Sequence, residues 1–243
     1  MDEGSRLGGR QEYGTIQNTM SVHFITGIDT DIGKTYATGL VARFLRRRGI
    51  SVITQKITQT GTSGAIADDI LLHRRLMGIE PLPEDLDGTT CPYLFPFPAS
   101  PHLAAELENA QIDPKVIADC TARLLEKFDI VLLEGAGGMN VPIRRDFLIS
   151  DYVREHRYSM IVVTSGRLGS INHTLLTLEA ATNRNIPVVG LVFNHYPPPD
   201  PVIRDDTMDI FRHKIAGALA EMPKIDLKNI PEVDFSAIFG GLL

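Results

Sequence analysis

Several features that would point to other functions are scarce or missing. Cys91 and Cys120 are the only cysteines in 243 residues, so no disulfide framework is implied and a reducing cytoplasm is the natural setting. No apolar run approaches the ~18 residues of a membrane span, and the N-terminus lacks the apolar centre of a signal peptide. Neither a membrane partner nor secretion is expected. His23, His73, His102, His156, His173, His195 and His213 are scattered without i,i+4 pairing and without clustered cysteines, which argues against zinc. No Gly-x-Ser-x-Gly elbow is present, so a serine hydrolase is not indicated. A net charge of −6 argues against wholesale nucleic-acid binding. The one basic run, Arg46-Arg47-Arg48, reads as the solvated last turn of a helix, where the dipole favours cations.

What is present begins at Val22, where an apolar run feeds Gly27-Ile-Asp-Thr-Asp-Ile-Gly33-Lys34-Thr35. This is a P-loop: glycines let backbone N–H groups close around phosphates, Lys34 brings charge to the outer phosphates, and the Thr35 hydroxyl can ligate magnesium. A helix starting at Lys34 would aim its positive end at the same anion. Five residues separate Gly27 from Gly33 where the common pattern has four. Two of them, Asp29 and Asp31, are acids in a loop meant for a polyanion, which calls for magnesium or a cationic ligand as compensation.

Five β-branched apolar runs, Val22–Thr26, Ser51–Gln55, Ile130–Leu133, Ile161–Thr164 and Val188–Phe193, read as buried strands. Between them Tyr36–Arg47, Ala67–Met77, Pro114–Lys127 and Ile171–Asn183 carry apolar residues at helical spacing. The expected fold is α/β, a single P-loop domain with a mostly parallel sheet and helices on both faces. The proline-rich stretch from Pro81 to Pro101 is expected to be neither helix nor central strand but a surface excursion near the site. Pro197-Pro-Pro199 is a second excursion, and the tail after Pro231 is expected to form a short helix ending in Leu242-Leu243. Residues 1–20 are polar, glycine-rich and aperiodic, and are expected to be a disordered leader, either an expression remnant or the product of an upstream start codon. The domain then occupies 21–243.

Ligands of such sheets bind beyond the carboxyl ends of the strands. That rule selects Lys56, followed by the hydroxyl- and glycine-rich Ile-Thr-Gln-Thr-Gly-Thr-Ser-Gly64. It also selects Glu134, whose position after Ile-Val-Leu-Leu suits an acid that holds a metal or its water, with Gly135, Gly137 and Gly138 beyond it allowing close backbone approach. Asp68 and Asp69 open a helix, where one is expected to serve as cap and the other as magnesium ligand. The fifth run ends in Asn194-His-Tyr rather than the Asn-Lys-x-Asp of a GTPase.

Together, Thr26-Gly-Ile-Asp-Thr-Asp-Ile-Gly-Lys-Thr35, Lys56, Val131-Leu-Leu-Glu-Gly-Ala-Gly-Gly138 and Gly169-Ser-Ile-Asn-His-Thr-Leu-Leu-Thr177 resemble the dethiobiotin synthetase family, over about Ser21 to Pro223. The long P-loop spacing is that family's own version. The resemblance implies an ATP- and magnesium-dependent cyclo-ligase that takes 7,8-diaminopelargonic acid and CO2 to dethiobiotin, through a carbamate and a carbamic-phosphoric anhydride, working as a homodimer. By position it implies that Lys34 bridges phosphate and carbamate, that Lys56 holds the carbamate, and that Thr30 and Asp31 approach carbamate, diamine or metal. It places Thr35, Asp69 and Glu134 around magnesium, with Asp68 as fallback. Asp31, Ile32, Gly33, Glu134, Gly135 and Gly138 would contact the nucleotide, and Asn194 and Pro223 its adenine. Thr60, where the family usually has serine, would lie near the diamine, and Ser170, Ile171 and Asn172 would reach across the dimer to the substrate carboxylate. Ile57 and Met139 depart from the proline and tryptophan usual in the family. The alternatives are an amide ligase of the cobyrinic acid synthase type, a partitioning-type ATPase switch and a regulatory nucleotide module. A partitioning ATPase would carry a lysine where this chain has Ile28.

Overall fold

A computed structural model describes residues 21–214 and 218–241. The leader expected over 1–20 and the terminal Leu242-Leu243 lie outside the described residues. From β1 (Ser21–Gly27) the glycine loop enters α1 (Lys34–Arg47), followed by β2 (Val52–Lys56), the two-residue β3 (Gln59–Thr60) and α2 (Asp68–Met77). The proline-rich stretch holds α3 (Pro83–Leu86) and β4 (Leu94–Phe95) and runs into α4 (Pro101–Leu107). Then come α5 (Pro114–Leu125), β5 (Ile130–Glu134), the antiparallel pair β6 (Pro142–Arg144) and β7 (Phe147–Leu148), and α6 (Ile149–Glu155). The chain continues through β8 (Ser159–Ser165), α7 (Ser170–Asn183), β9 (Val188–Asn194), α8 (Pro201–Lys214), β10 (Leu219–Met222) and α9 (Ser236–Phe239).

The five expected strands lie in one six-stranded sheet of order β10-β9-β8-β1-β5-β2, every pair parallel. Alternation along each strand divides the apolar residues between two cores: Phe24, Ile53, Val131, Leu133 and Val162 on one face, Ile25, Val52, Ile130, Leu132 and Ile161 on the other. Because both faces are covered, the strands read as continuous apolar runs rather than alternating ones. Leu40, Val41 and Leu45 of α1, Leu76 of α2 and Phe239 of α9 complete the second core; Ile117 and Leu124 of α5, Tyr152 of α6, Ala181 of α7 and Phe211 of α8 complete the first.

Among the elements with no counterpart in the apolar patterning are β10 and α8. β10 is only four residues long and carries the exposed Glu221, too little signal to register as a buried strand. α8 starts at Pro201 directly after the proline run and buries Thr207, Met208 and Phe211. The exclusion of helix from Pro81–Pro101 is also corrected: Pro83 lies in the first turn of α3, where a missing N–H forfeits no intrahelical bond.

That excursion is tied to the sheet by a buried ion pair. Arg74 of α2, 1% exposed, donates from Nε and Nη2 to the two carboxylate oxygens of Asp85, each at 2.8 Å, and from Nη1 to Thr54 Oγ1 of β2 at 2.8 Å. Asp85 also accepts from Thr90 Oγ1 at 2.8 Å and Leu82 N at 2.7 Å, so its lone pairs are well used. Asp85→Ala, which strands the Arg74 charge, should cost about 3–5 kcal/mol in urea denaturation. Burial would raise the Asp85 carboxyl, but Arg74 holds it below its ordinary 3.8. The stabilisation is therefore present above pH 3.8 and is lost as pH falls below that value; an Asp85→Ala protein that kept the parent's acid sensitivity would refute the assignment.

Candidate active site

Strand register makes the centre of the site. The parallel ladder of β2 and β5 pairs Lys56 with Glu134, the last residue of each strand, and Ile25 of β1 also pairs with Glu134. Lys56 follows Val52 at even spacing and Glu134 follows Ile130 and Leu132, so both side chains leave the sheet on the α1–α2 face. Their ammonium and carboxylate meet at 2.7 Å, 6% and 0% exposed. Asp69, in the first turn of α2, closes on the same ammonium as a second ion-pair partner. Thr35, in the first turn of α1, donates to Glu134 Oε1 at 3.3 Å.

These groups border a cleft of about 890 Å³, within the size range of small-molecule sites. Its walls come from the P-loop (Thr30, Asp31, Gly33, Lys34, Thr35), the β2–β3 segment (Lys56, Thr58, Gln59, Thr60), Asp69, Glu134 and the end of the proline-rich excursion (Pro98 to Pro101). Lys34 Nζ, nearly buried, donates to the Asp29 carbonyl at 3.1 Å. Burial and the nearby Lys56 charge hold Lys34 below the usual lysine range. Burial pulls Lys56 the same way, but the Glu134 and Asp69 carboxylates reverse it and keep this lysine charged. Burial would raise Glu134; Lys56 and the hydrogen bond to His73 outweigh that and leave it ionised. Two cationic lysines that raise each other's energy form a site that an anion would relieve.

The two adjacent acids are separated by the packing of α2, which turns Asp69 to Lys56 and leaves Asp68 exposed and outside the cleft. The acidic and hydroxyl oxygens of Asp69, Glu134 and Thr35 suit a hard cation. Among the described residues no three His, Cys, Asp or Glu side chains are arranged to hold a metal by themselves. This set therefore fits magnesium in its usual mode, one or two carboxylates with substrate phosphates completing the shell.

Other expected positions fall elsewhere. Ile32 packs its side chain into the second core, and its carbonyl accepts from Asn194 Nδ2 at 2.9 Å. Asn194 borders the cleft, yet both ends of its amide are engaged, since its Oδ1 accepts from Tyr196 N at 2.9 Å. From the glycine segment after β5, Ala136 and Gly137 line the cleft, not Gly135 and Gly138. Gly135 lies against Phe24, where an added Cβ would come within 2.7 Å of the ring, and Gly138 faces the Gly27 carbonyl. Pro223 is exposed just beyond β10 and does not line the cleft. Ser170, Ile171 and Asn172 start α7 outside the cleft of their own chain, with the Ser170 hydroxyl buried 3.0 Å from that of Ser165.

Thr38 and His73 had no place in the expected site, yet both bind Glu134 Oε2, at 2.8 and 2.9 Å. The available signal was spacing from a partner of another type: Thr38 is one turn beyond Lys34 on α1, and His73 one turn beyond Asp69 on α2. Cys91, beside this cluster, is inert, its thiol pushed up to about 12 by burial.

A family model described as an AAA domain matches residues 22–229. Among solved structures, a ParA family ATPase from Chlorobium tepidum TLS aligns at a TM-score of 0.52 with 16% identity, covering 91% of this chain and 90% of that one. Chloroplast FtsY from Physcomitrella patens aligns at 0.51 with 15% identity, covering 95% and 67%. At such identities these likenesses speak for the P-loop fold alone. Sequence relatives are far nearer. The ATP-dependent dethiobiotin synthetase BioD 2 of Pasteurella multocida is 54% identical over 79% of this chain and 89% of its own length. The ATP-dependent dethiobiotin synthetase BioD of Chlorobaculum tepidum is 52% identical over 84% and 85%. A shared fold leaves partitioning ATPases and ligases equally open, whereas identity above one half across most of both chains does not, and this chain belongs to the dethiobiotin synthetase family.

Proposed function

We propose that the protein makes dethiobiotin from 7,8-diaminopelargonic acid, CO2 and ATP in biotin biosynthesis, acting as a magnesium-dependent homodimer in the cytoplasm. The observation that carries the reading is the second buried lysine. A partitioning-type switch would carry its extra lysine inside the loop, at the position of Ile28, and has no need of one at the end of β2; a site that must bring a carbamate against a triphosphate needs positive charge there.

The reaction has three bond changes. One amine of the substrate attacks CO2 and loses a proton, giving a carbamate. A carbamate oxygen takes the terminal phosphoryl group of ATP, releasing ADP. The second amine attacks the activated carbonyl and loses a proton, phosphate leaves as the C–O bond breaks, and the cyclic urea closes. Two of the three Lys56 N–H groups are directed to Glu134 and Asp69, which leaves the third for the carbamate or the transferring phosphoryl oxygen. Lys34 exchanges its Asp29 carbonyl contact for the phosphate and carbamate oxygens, and the repulsion between the two lysines falls as the anions enter. The oxygens of Thr35, Asp69 and Glu134 would hold magnesium, which would supply positive charge against the triphosphate. Thr30, Asp31 and Thr60 border the cleft; in this reading the first two approach carbamate, diamine or metal and Thr60 the diamine. Gly33 and the backbone at Asp31 and Ile32 surround the phosphates, while the adenine lies toward Asn194 and Pro223. The partner protomer's copy of the Ser170-Ile-Asn172 segment receives the substrate carboxylate on the N–H groups at the start of α7.

Incubation with diaminopelargonic acid, bicarbonate and Mg-ATP should release ADP in step with a ureido product detected by mass spectrometry. ADP release indifferent to the diamine would instead favour a switch.

A further inference from the structure

Glu134 is held from both sides. Its Oε1 faces Lys56 and Thr35, while its Oε2 accepts from Thr38 Oγ1 at 2.8 Å and lies 2.9 Å from His73 Nε2. His73 and Glu134 are both fully buried. Since the carboxylate is ionised and can only accept, Nε2 carries the proton, and His73 Nδ1 is left buried with no hydrogen-bond partner. An unpaired buried polar atom destabilises a fold, and leucine would fill the space between Ile70 and Met77 without one. Packing therefore does not explain the imidazole; its bond to Glu134 does.

The terminal torsion of a glutamate is broad and roughly two-fold, so a carboxylate gripped at one oxygen can still turn about it. We propose that His73 is a positioning residue: with Thr38 it occupies Oε2 and sets the carboxylate plane, so that Oε1 alone is presented to Lys56, Thr35 and the cleft. Asp69 and His73, one turn apart on α2, then act as a pair, one placing the lysine and the other its carboxylate partner. The inference rests on the role given above to Glu134.

The test compares His73→Leu, His73→Gln and His73→Asn in the full chain. The readouts are kcat, KM for diaminopelargonic acid, thermal midpoint, and the magnesium concentration that half-maximally tightens a fluorescent ATP analogue. The glutamine amide reaches the position of Nε2, whereas the asparagine amide stops at that of Nδ1. His73→Gln should stay close to the parent, while His73→Leu and His73→Asn lose about 10–100-fold in kcat with KM little changed, and shift the magnesium midpoint upward about tenfold. If the leucine variant does not fold, glutamine against asparagine decides, since both bury an amide and only one reaches Oε2. Glutamine as impaired as asparagine, or all three indistinguishable from the parent, would overturn the proposal. Magnesium-dependent nucleotide binding needs no diamine, so a parent that makes no dethiobiotin would sink the functional reading while this measurement still reported on His73.

Discussion

Lys56→Ala should reduce dethiobiotin formation by about a thousandfold, the upper end of what a single preorganised charge contributes to a transition state. Affinity for the ATP analogue should change far less, because in the proposed arrangement Lys34 and the loop backbone hold the nucleotide and Lys56 acts on the carbamate and the group in transfer. The substitution also leaves Glu134, 0% exposed, without its main counter-ion. Removing one partner of a buried ion pair destabilises by about 3–5 kcal/mol, so a thermal melt belongs beside the kinetics. Lys56→Gln separates the two effects: its amide can still donate to Glu134 and recover part of the stability, but it brings no charge and should stay inactive. Parallel loss of nucleotide affinity and turnover in both variants would mean that Lys56 is a nucleotide-binding residue and that its proposed role is wrong.

Gly33→Ala should weaken ATP binding by about a hundredfold, from the other side of the site. Gly33 has φ of +100°, a conformation that costs a residue with a Cβ about 1–3 kcal/mol. A Cβ built there falls 2.5 Å from Asn194 Nδ2 and 3.3 Å from the Met222 methyl. Asn194 cannot retreat freely, because its amide bridges the Ile32 carbonyl and the Tyr196 N–H. The loop must therefore move, and a displacement near 1 Å in groups that orient phosphate can cost about a hundredfold. Calorimetric titration with ATP measures the loss, and near-parental affinity would show that the loop tolerates the shift. Adding Asn194→Ala removes the clashing atom but not the φ strain, so partial recovery is expected in the double variant.

The P-loop was legible because it is local: Gly27 to Thr35 are neighbours in sequence, and the turn, the lysine and the helix start come from consecutive residues. Lys56 and Glu134 were legible for a different reason. Each ends an apolar run, and parallel strands put such ends on one edge whatever the order of the strands. The α7 segment was also readable as a helix start, although the partner chain proposed to use it is another molecule. Gly135 and Gly138 illustrate that glycine has two uses. Sequence cannot separate a glycine that admits a ligand from one that admits Phe24 or the Gly27 backbone.

Composition and pattern were enough for an α/β nucleotide-binding domain, its phosphate loop and the two charges at the strand ends, since these depend on side-chain period and on short-range backbone geometry. The turning of Asp69 rather than Asp68 to Lys56, the use of His73 and Thr38 as partners of Glu134, and the bracing of the loop by Asn194 were settled only by tertiary packing. Adjacent helical residues point about 100° apart, so the crossing of α2 over the ends of β2 and β5 decides which acid meets the lysine. Contacts such as Glu134 with His73, 61 residues apart, exist only when the sheet register and that crossing have both been set.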